Sequence, residues 1–383
     1  MFTIFQPWYP PAEPAVSVRS MVHSILLRKD NFVDVLKEFL NIEHCVLGNS
    51  GRALLCQLLM ALKRKADLKR NMVLIPGYTC YSVAASVVGA GLEIACYDLD
   101  PSTLSPDMDS VHAMAGENTL AVIGQHLFGI PTPIDELISV AHGVGASLIE
   151  DAAQGLGGIF QDKKLGTIGD FGLFSFGRGK PLPLGGGGAI VGSDEIVQSL
   201  ISGPTSSGYL DLARAASSRF LSHKRIYGVL EALPLGLGET VFDPGFLMKP
   251  MSRALQRMGA CSMRALQSLN VHRRATAKIY HEILYDAGES LFRPSNGAVF
   301  TRYPIMAGIN PIPKSLRRLG VRCMYPKAIL DEQSIAPYRA AHNMPTPGAL
   351  RISGRLITLP THGGIDSELA RTIAVGVKDS YSW

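Results

Sequence analysis

Apolar residues along the chain follow two spacings, one typical of helices and one of buried strands. Leucines recur three and four residues apart over 50–63, which predicts a helix. Short uninterrupted apolar runs predict strands at 72–75, 91–98, 119–124, 147–150, 172–176 and 189–192. Further helices are predicted at 31–47 (with a strand-like end), 81–89, 135–142 and 251–284. Because strands and helices alternate from about 45 to 195, the pattern predicts parallel βαβ units and a sheet covered on both faces.

The length and the apolar content predict two domains. The chain has 383 residues, of which 46% are hydrophobic, so a large core is available. We predict a large α/β domain over 1–250 and a smaller C-terminal α/β domain over 251–383. Residues 196–250 break the alternation and are rich in glycine and proline. Within them, 229–247 is interpreted as a loop over the active site or a dimer interface, with weak contact to a membrane surface as the alternative.

Charge and cysteine content exclude several classes of protein. The net charge is +5, and no run of Lys and Arg is dense enough for a nucleic-acid surface. The six cysteines form no C-x-x-C pair and have no histidine at zinc spacing, so we expect no metal site and reduced thiols in the cytoplasm. The uncharged stretch 72–92 is long enough to cross a bilayer, but its proline and glycine predict a strand, a loop and a buried helix.

The most informative polar residues follow predicted strands. Asp151 ends the strand at 147–150, and Lys180 lies 29 residues later in a glycine-rich loop, five residues after Ser175. Ligands of parallel sheets lie at the carboxyl ends of the strands, where these residues are expected to meet. Pyridoxal phosphate (PLP) needs such a set: a lysine amine, a carboxylate that keeps its ring nitrogen protonated, and donors for its phosphate.

These motifs resemble the DegT-type (StrS-type) sugar aminotransferases. The matching stretches are S-G-R-A-L-L at 50–55, P-G-Y-T at 76–79, H-L-F-G at 126–129, E-D-A-A-Q at 150–154, F-S-F-G-R-G-K at 174–180 and L-P-T-H at 359–362. The resemblance implies the aspartate-aminotransferase fold (fold type I) of PLP-dependent transferases. It also implies the aminotransferase branch, because related dehydratases have histidine where this chain has Lys180.

The resemblance implies a role for each residue that matches the motifs around the cofactor ring. Lys180 would hold PLP through its amine and move a proton during catalysis. Asp151 would pair with the pyridine nitrogen, and Gln154 would lie near the 3-hydroxyl of the ring. His126 and His362 are more typical of structural histidines than of catalytic bases.

The phosphate and ring-stacking positions depart in part from the family pattern. The implied phosphate-binding residues are Ser50, Gly51, Arg52 and Ser175. Arg52 stands where the family has threonine, and an arginine can bind a phosphate through two hydrogen bonds. Cys80 stands where an aromatic residue is expected, so Tyr78 or Tyr81 would have to stack on the ring.

The implied function is transfer of an amino group from L-glutamate to a nucleotide-linked keto-sugar, in polysaccharide or secondary-metabolite biosynthesis, by a homodimer. Residues 246–251 stand where the family has a G-x-N-x-R-M loop that reaches the neighbouring subunit's site. This departure leaves open another fold-type-I PLP enzyme that acts on an amino acid or acyl substrate. A PLP-binding regulatory protein without turnover is a third hypothesis, and the presence of both Lys180 and Asp151 argues against it.

Overall fold

A computed structural model describes most of the chain. The described residues are 7–12, 20–22, 31–201, 203–232, 241–285, 297–307 and 311–381. The helices are α1 (Phe32–Leu40), α2 (Gly51–Lys65), α3 (Tyr81–Gly89), α4 (Met108–Met114), α5 (Ile134–Gly143), α6 (Tyr209–Leu221), α7 (Tyr227–Ala232), α8 (Arg253–Leu284), α9 (Lys314–Arg318), α10 (Pro347–Arg355) and α11 (Ser367–Ser380). Short 3₁₀ turns occur at Leu127–Gly129, Glu195–Ser199, Ile329–Asp331 and Gln333–Tyr338.

One seven-stranded sheet forms the centre of the molecule. The strands are β1 (His44–Gly48), β2 (Met72–Pro76), β3 (Glu93–Tyr97), β4 (Thr119–Gln125), β5 (Ser147–Asp151), β6 (Ile159–Phe160), β7 (Lys163–Lys164), β8 (Phe171–Ser175), β9 (Gly188–Gly192), β10 (Arg302–Met306) and β11 (Leu356–Pro360). The sheet order is β1-β9-β8-β5-β4-β2-β3. β9 runs antiparallel to both of its neighbours, β1 and β8, and the other neighbouring strands of this sheet are parallel. The predicted mostly parallel α/β sheet is therefore confirmed.

The apolar runs are buried on both faces of the sheet, as predicted. In β2, Met72 and Leu74 belong to one core cluster, whereas Val73 and Ile75 belong to the cluster on the opposite face. Successive side chains of a strand point to opposite faces, so a strand covered on both sides needs apolar residues at every position. The helices α2 and α3 cover one face, and α4 and α5 cover the other.

The C-terminal region begins with the long helix α8, which the sequence predicted. Leu255 and Met258, near its start, pack with Phe174 of β8, whereas Tyr280 and Leu284 pack with the cluster around β10 and β11. The two-stranded antiparallel sheet β10–β11 and the helix α11 complete this cluster. The division into domains at residue 250 stays a prediction, since the first half of α8 packs against the large sheet.

The segment 196–250 is irregular, as expected, and contains α6 and α7. Residues 233–240 lie outside the described part of the chain. Of the segment 229–247, for which membrane contact was the alternative interpretation, the structure therefore describes only 229–232 and 241–247. Within the described residues, no helix combines the length and the hydrophobicity needed to cross a membrane. The uncharged stretch 72–92 is β2, a loop and α3.

A glycine on β8 permits close packing against the preceding turn. A Cβ at Gly172 would overlap the carbonyl group of Gly166. We predict that Gly172→Ala lowers the free energy of unfolding by about 3 kcal/mol, because neither backbone segment can move freely. Gly143→Ala is the control, since a Cβ there meets nothing within 4 Å, and it should change stability by less than about 1 kcal/mol. Urea denaturation measures both, and equal stability of the two variants would contradict the prediction.

Candidate active site

A cavity of about 130 Å³ opens at the carboxyl ends of the central strands. Gln125 of β4, Asp151 of β5 and Ser175 of β8 line it, together with Gly51 and Arg52 at the start of α2. Lys180 lines it from the loop between β8 and β9, and Tyr325 lines it from the C-terminal region. The structure thus brings Gln125, Asp151 and Ser175 together at one edge of the sheet, as parallel sheet topology predicts.

The carboxylate of Asp151 can accept further hydrogen bonds. Its Oδ1 accepts a hydrogen bond from the N–H of Ala153 at 3.0 Å, and within the described ranges no other group donates to it. Burial raises the pKa of the Asp151 carboxyl, while the charge of Lys180 opposes that rise. A cation placed in the cavity beside this carboxylate would therefore be stabilised, and would itself stabilise the ionised form.

Lys180 is held at the cavity by its loop. Gly179 has a φ of +77°, a left-handed conformation that favours glycine, and the Lys180 N–H donates to the carbonyl of Gly177 at 3.3 Å. The buried Arg273 of α8 donates to the next carbonyl, that of Pro181, at 3.1 Å. The Nζ of Lys180 has no hydrogen-bond partner among the described residues, and it is available to a ligand.

The start of α2 offers donors for an anion. The Ser50 Oγ accepts from the N–H of Ala53 at 3.2 Å, so this side chain caps the helix. The N–H groups of Gly51 and Arg52 lie in the first turn, where a helix provides no acceptor. Ser175 stands beside them, since a Cβ on Gly51 would lie 3.4 Å from the Ser175 Cβ. Helix N-termini with free N–H groups are typical phosphate sites.

Gln154 connects the sheet to the C-terminal region. It is buried, and its Oε1 accepts from the N–H of Phe128 at 2.7 Å and from the Thr301 Oγ1 at 3.2 Å. Its Nε2 donates to the hydroxyl of Tyr325 at 3.4 Å. Tyr325 was not predicted as a site residue, because no sequence pattern joins it to the motifs around residue 150.

A buried histidine–glutamate pair lies beside the cavity, which His126 lines and Glu150 does not. The N–H of Thr132 donates to the His126 Nδ1 at 3.2 Å, so the proton resides on Nε2, which donates to Glu150 at 2.9 Å. Glu150 also accepts from the N–H groups of Gly166 at 2.8 Å and Gly169 at 2.6 Å. Burial alone would raise the pKa of Glu150, but His126 and these N–H groups outweigh it and hold the pKa below its ordinary value. Both ring nitrogens of His126 therefore have protein partners, which agrees with the expectation of a structural histidine.

Two of the predicted cofactor residues do not line the cavity with their side chains. Tyr78 is buried behind it, where its ring lies 5.3 Å from that of Tyr325 and its hydroxyl accepts from the Tyr325 N–H at 3.2 Å. Ser50 caps α2, as described above. Cys80 lines the cavity instead of an aromatic residue. His362, which also does not line it, has its Nε2 2.9 Å from the carbonyl of Pro10.

The fold is that of a known class of enzymes. A GDP-4-keto-6-deoxy-D-mannose-3-dehydratase from E. coli, solved with bound hydrated PLP, superposes with a TM-score of 0.74 at 16% sequence identity. The superposition covers 98% of this chain and 100% of the dehydratase chain. At this identity the likeness shows the fold alone, and it confirms the predicted fold type I of PLP-dependent transferases.

The sequence comparison identifies the family within that class. The model of the DegT/DnrJ/EryC1/StrS aminotransferase family matches residues 26–378, and the chain belongs to this family. It is similar to L-glutamine:2-deoxy-scyllo-inosose aminotransferases from Streptomyces kanamyceticus (30% identity, 70% of this chain) and Micromonospora echinospora (35% identity, 43% of this chain). The matched stretch spans 58% of the first relative and 38% of the second.

The pair of His126 and Glu150 generates a stability prediction. Glu150→Gln turns an NH₂ group toward backbone donors, so we expect a loss of about 3 kcal/mol in the free energy of unfolding near pH 7. A carboxyl with a lowered pKa contributes stability above its unfolded pKa and loses it as pH falls through the folded pKa. The difference between wild type and variant should therefore shrink below pH 4.5, the ordinary pKa of this group.

The matched control is Glu93→Gln, because Glu93 lies exposed at the start of β3. It should change stability by no more than about 0.5 kcal/mol at any of these pH values. Urea titrations between pH 3 and 8 measure both variants, and a Glu150 deficit that is constant with pH would contradict the interpretation.

Proposed function

We propose that the chain is a PLP-dependent aminotransferase that moves an amino group from L-glutamate to a nucleotide-linked keto-sugar. The observation that carries the proposal is that Asp151 and Lys180 line one cavity beside the N-terminus of α2. An available amine, a carboxylate with acceptor capacity and the N–H groups of a helix N-terminus are the three parts that PLP requires. The residues present therefore fit this cofactor.

Bound PLP would supply an electron-withdrawing ring that weakens the C–H bond at the amino-bearing carbon of the substrate. The Lys180 Nζ would attach the cofactor and, once the donor has replaced it there, accept the proton from that carbon as a general base. Asp151 would stabilise a positive charge on the ring nitrogen, since the carboxylate and the cation lower each other's free energy in a buried site. Gln154, fixed by Phe128 and Thr301, would present its amide beside the ring.

The phosphate would bind at the start of α2. The N–H groups of Gly51 and Arg52 and the hydroxyl of Ser175 would offer donors, and the helix dipole favours negative charge there. Ser50 would contribute by capping the helix, and Tyr78 by packing behind the cavity on Tyr325.

A second acceptor is favoured by the names of the two relatives. Both act on 2-deoxy-scyllo-inosose, a cyclic ketone named without a nucleotide, with L-glutamine as the donor. The same residues of this chain would carry that reaction, because the proton transfer at the amino-bearing carbon does not depend on the acceptor. Residues 246–251 depart from the family loop, and this departure favours an acceptor other than a nucleotide-linked keto-sugar.

We also propose a cytoplasmic homodimer. Large apolar side chains of the segment 196–250 are exposed, among them Tyr209 (78%), Leu210 (74%), Phe220 (66%) and Leu247 (67%). Exposed apolar groups in this number are typical of protein–protein contacts, and a second copy of the chain is the partner that the family resemblance implies. Weak contact with a membrane surface is the alternative for the same residues. The buried thiols of Cys56 and Cys96 support a reducing compartment.

The first test is the visible absorption of the purified protein with PLP, before and after L-glutamate or L-glutamine. We expect a yellow protein that loses its colour with one of these donors. Lys180→Ala should neither form the lysine-bound chromophore nor respond to the donor, and turnover should fall by at least about a hundredfold because the general base is removed. Lys63→Ala, on the exposed end of α2, serves as the control and should behave as wild type. A protein that cannot be loaded with PLP would overturn the proposal.

The second test identifies the acceptor. The PLP-loaded enzyme is incubated with an amino donor and either a nucleotide-linked keto-sugar or 2-deoxy-scyllo-inosose, and mass spectrometry detects the aminated product. We expect amination of the nucleotide-linked ketone. Amination of 2-deoxy-scyllo-inosose alone would support the second acceptor, and amination of neither would direct the search to amino-acid or acyl substrates.

A further inference from the structure

Residues 241–251 lie against their own chain beside the cavity. The Asn49 Nδ2 donates to the carbonyl of Leu247 at 2.8 Å, and the Asn49 N–H donates to the carbonyl of Lys249 at 2.9 Å. The N–H of Met251 donates to the carbonyl of Leu47 at 3.3 Å. These bonds join the segment to the end of β1, immediately before α2 begins. The segment is therefore fixed next to the helix terminus that borders the cavity.

The ring of Phe246 is seated on the surface of α2 and α3. A Cβ on Gly89, at the end of α3, would lie 3.3 Å from the Phe246 Cζ, so the glycine permits this close contact. The ring is partly buried against the core cluster of these helices. The guanidinium carbon of Arg52 lies 5.2 Å from the ring centroid, within the range of a cation–π interaction.

Arg52 is the residue that links this ring to the cavity. It lines the cavity from the first turn of α2, and its carbonyl accepts from the Ser86 Oγ at 2.9 Å, which fixes its backbone. Among the cavity-lining side chains in the described part of the chain, the arginine and lysine cations are Arg52 and Lys180. Lys180 is committed to catalysis in the proposed function, so Arg52 is available to bind an anion.

We propose that Phe246 is a positioning residue that orients Arg52 to bind an anionic group of a ligand in the cavity. Stacking on the ring restricts the conformations of the long arginine side chain. The N–H groups at the edge of the guanidinium plane stay available, and this arrangement favours bidentate binding of a phosphate or carboxylate. The anion is either the phosphate of the cofactor or the carboxylate of the amino donor. The identity of this anion rests on the proposed function. The contact between Arg52 and Phe246 does not, because it involves no ligand.

The test compares Phe246→Leu with Phe246→Tyr, which keeps an aromatic face. Phe242→Leu is the matched control, since Phe242 belongs to the same segment and is also partly buried, but its ring pairs with that of Tyr338 at 5.9 Å. Three quantities are measured: the dissociation constants of PLP and of pyridoxal, which lacks the phosphate; the KM and kcat for L-glutamate and L-glutamine; and the shift in Tm caused by inorganic phosphate. The Tm without ligand checks that the variants are folded.

We expect Phe246→Leu to weaken the binding of either PLP or the amino donor by about three- to tenfold relative to Phe242→Leu. Phe246→Tyr should stay close to wild type. Weaker binding of PLP but not of pyridoxal, with a smaller phosphate-induced Tm shift, would identify the cofactor phosphate. A higher donor KM at unchanged kcat and unchanged PLP affinity would identify the donor carboxylate.

The proposal is overturned if Phe246→Leu and Phe242→Leu have equal effects on all three quantities, or if Phe246→Tyr loses as much as Phe246→Leu. Either result would leave Phe246 a packing residue only. A wild-type protein that fails to bind PLP would overturn the proposed function but not this inference. The Tm shifts caused by inorganic phosphate and by L-glutamate then decide it: a smaller shift in Phe246→Leu than in Phe242→Leu with either anion supports the inference, and equal shifts with both overturn it.

Discussion

The buried carboxylate of Glu150 organises the ends of three neighbouring strands. It belongs to β5, receives a hydrogen bond from His126 after β4, and accepts the N–H groups of the turn that precedes β8. Because successive residues of a strand point to opposite faces, fixing Glu150 on one side directs Asp151 to the other, toward the cavity. The residue most important to the proposed chemistry is thus oriented by a carboxylate that does not itself line the cavity.

The cavity is completed from the distant C-terminal half of the chain. Thr301 and Tyr325 both contact Gln154, and Arg273 holds the loop of Lys180 through the carbonyl of Pro181. Each contact is a hydrogen bond to a buried polar group, so the two halves are coupled where the ligand is expected to bind. A change in how these halves pack would alter the amide of Gln154 and the amine of Lys180 together.

Much of the fold was accessible from the sequence because its signals are local. Uninterrupted apolar runs predicted the strands β2 to β5, which are buried on both faces. The antiparallel direction of β9 was not predicted, since an apolar run contains no information about strand direction. The connection between β8 and β9, all of whose residues are described, contains no crossover helix, and this permits the antiparallel direction. The short helix α4 was missed as well, because its seven residues carry too little periodicity.

The sequence by itself determined the family, the strand ends and the spacing of Asp151, Ser175 and Lys180. Strand ends and glycine loops are local features, and parallel topology brings the carboxyl ends of the strands to one edge. Only the tertiary structure decided that Tyr325 lines the cavity, that Tyr78 lies behind it and that the ring of Phe246 contacts Arg52. These contacts join residues that are far apart along the chain, and their geometry depends on how helices and loops pack, which no local pattern of residues specifies.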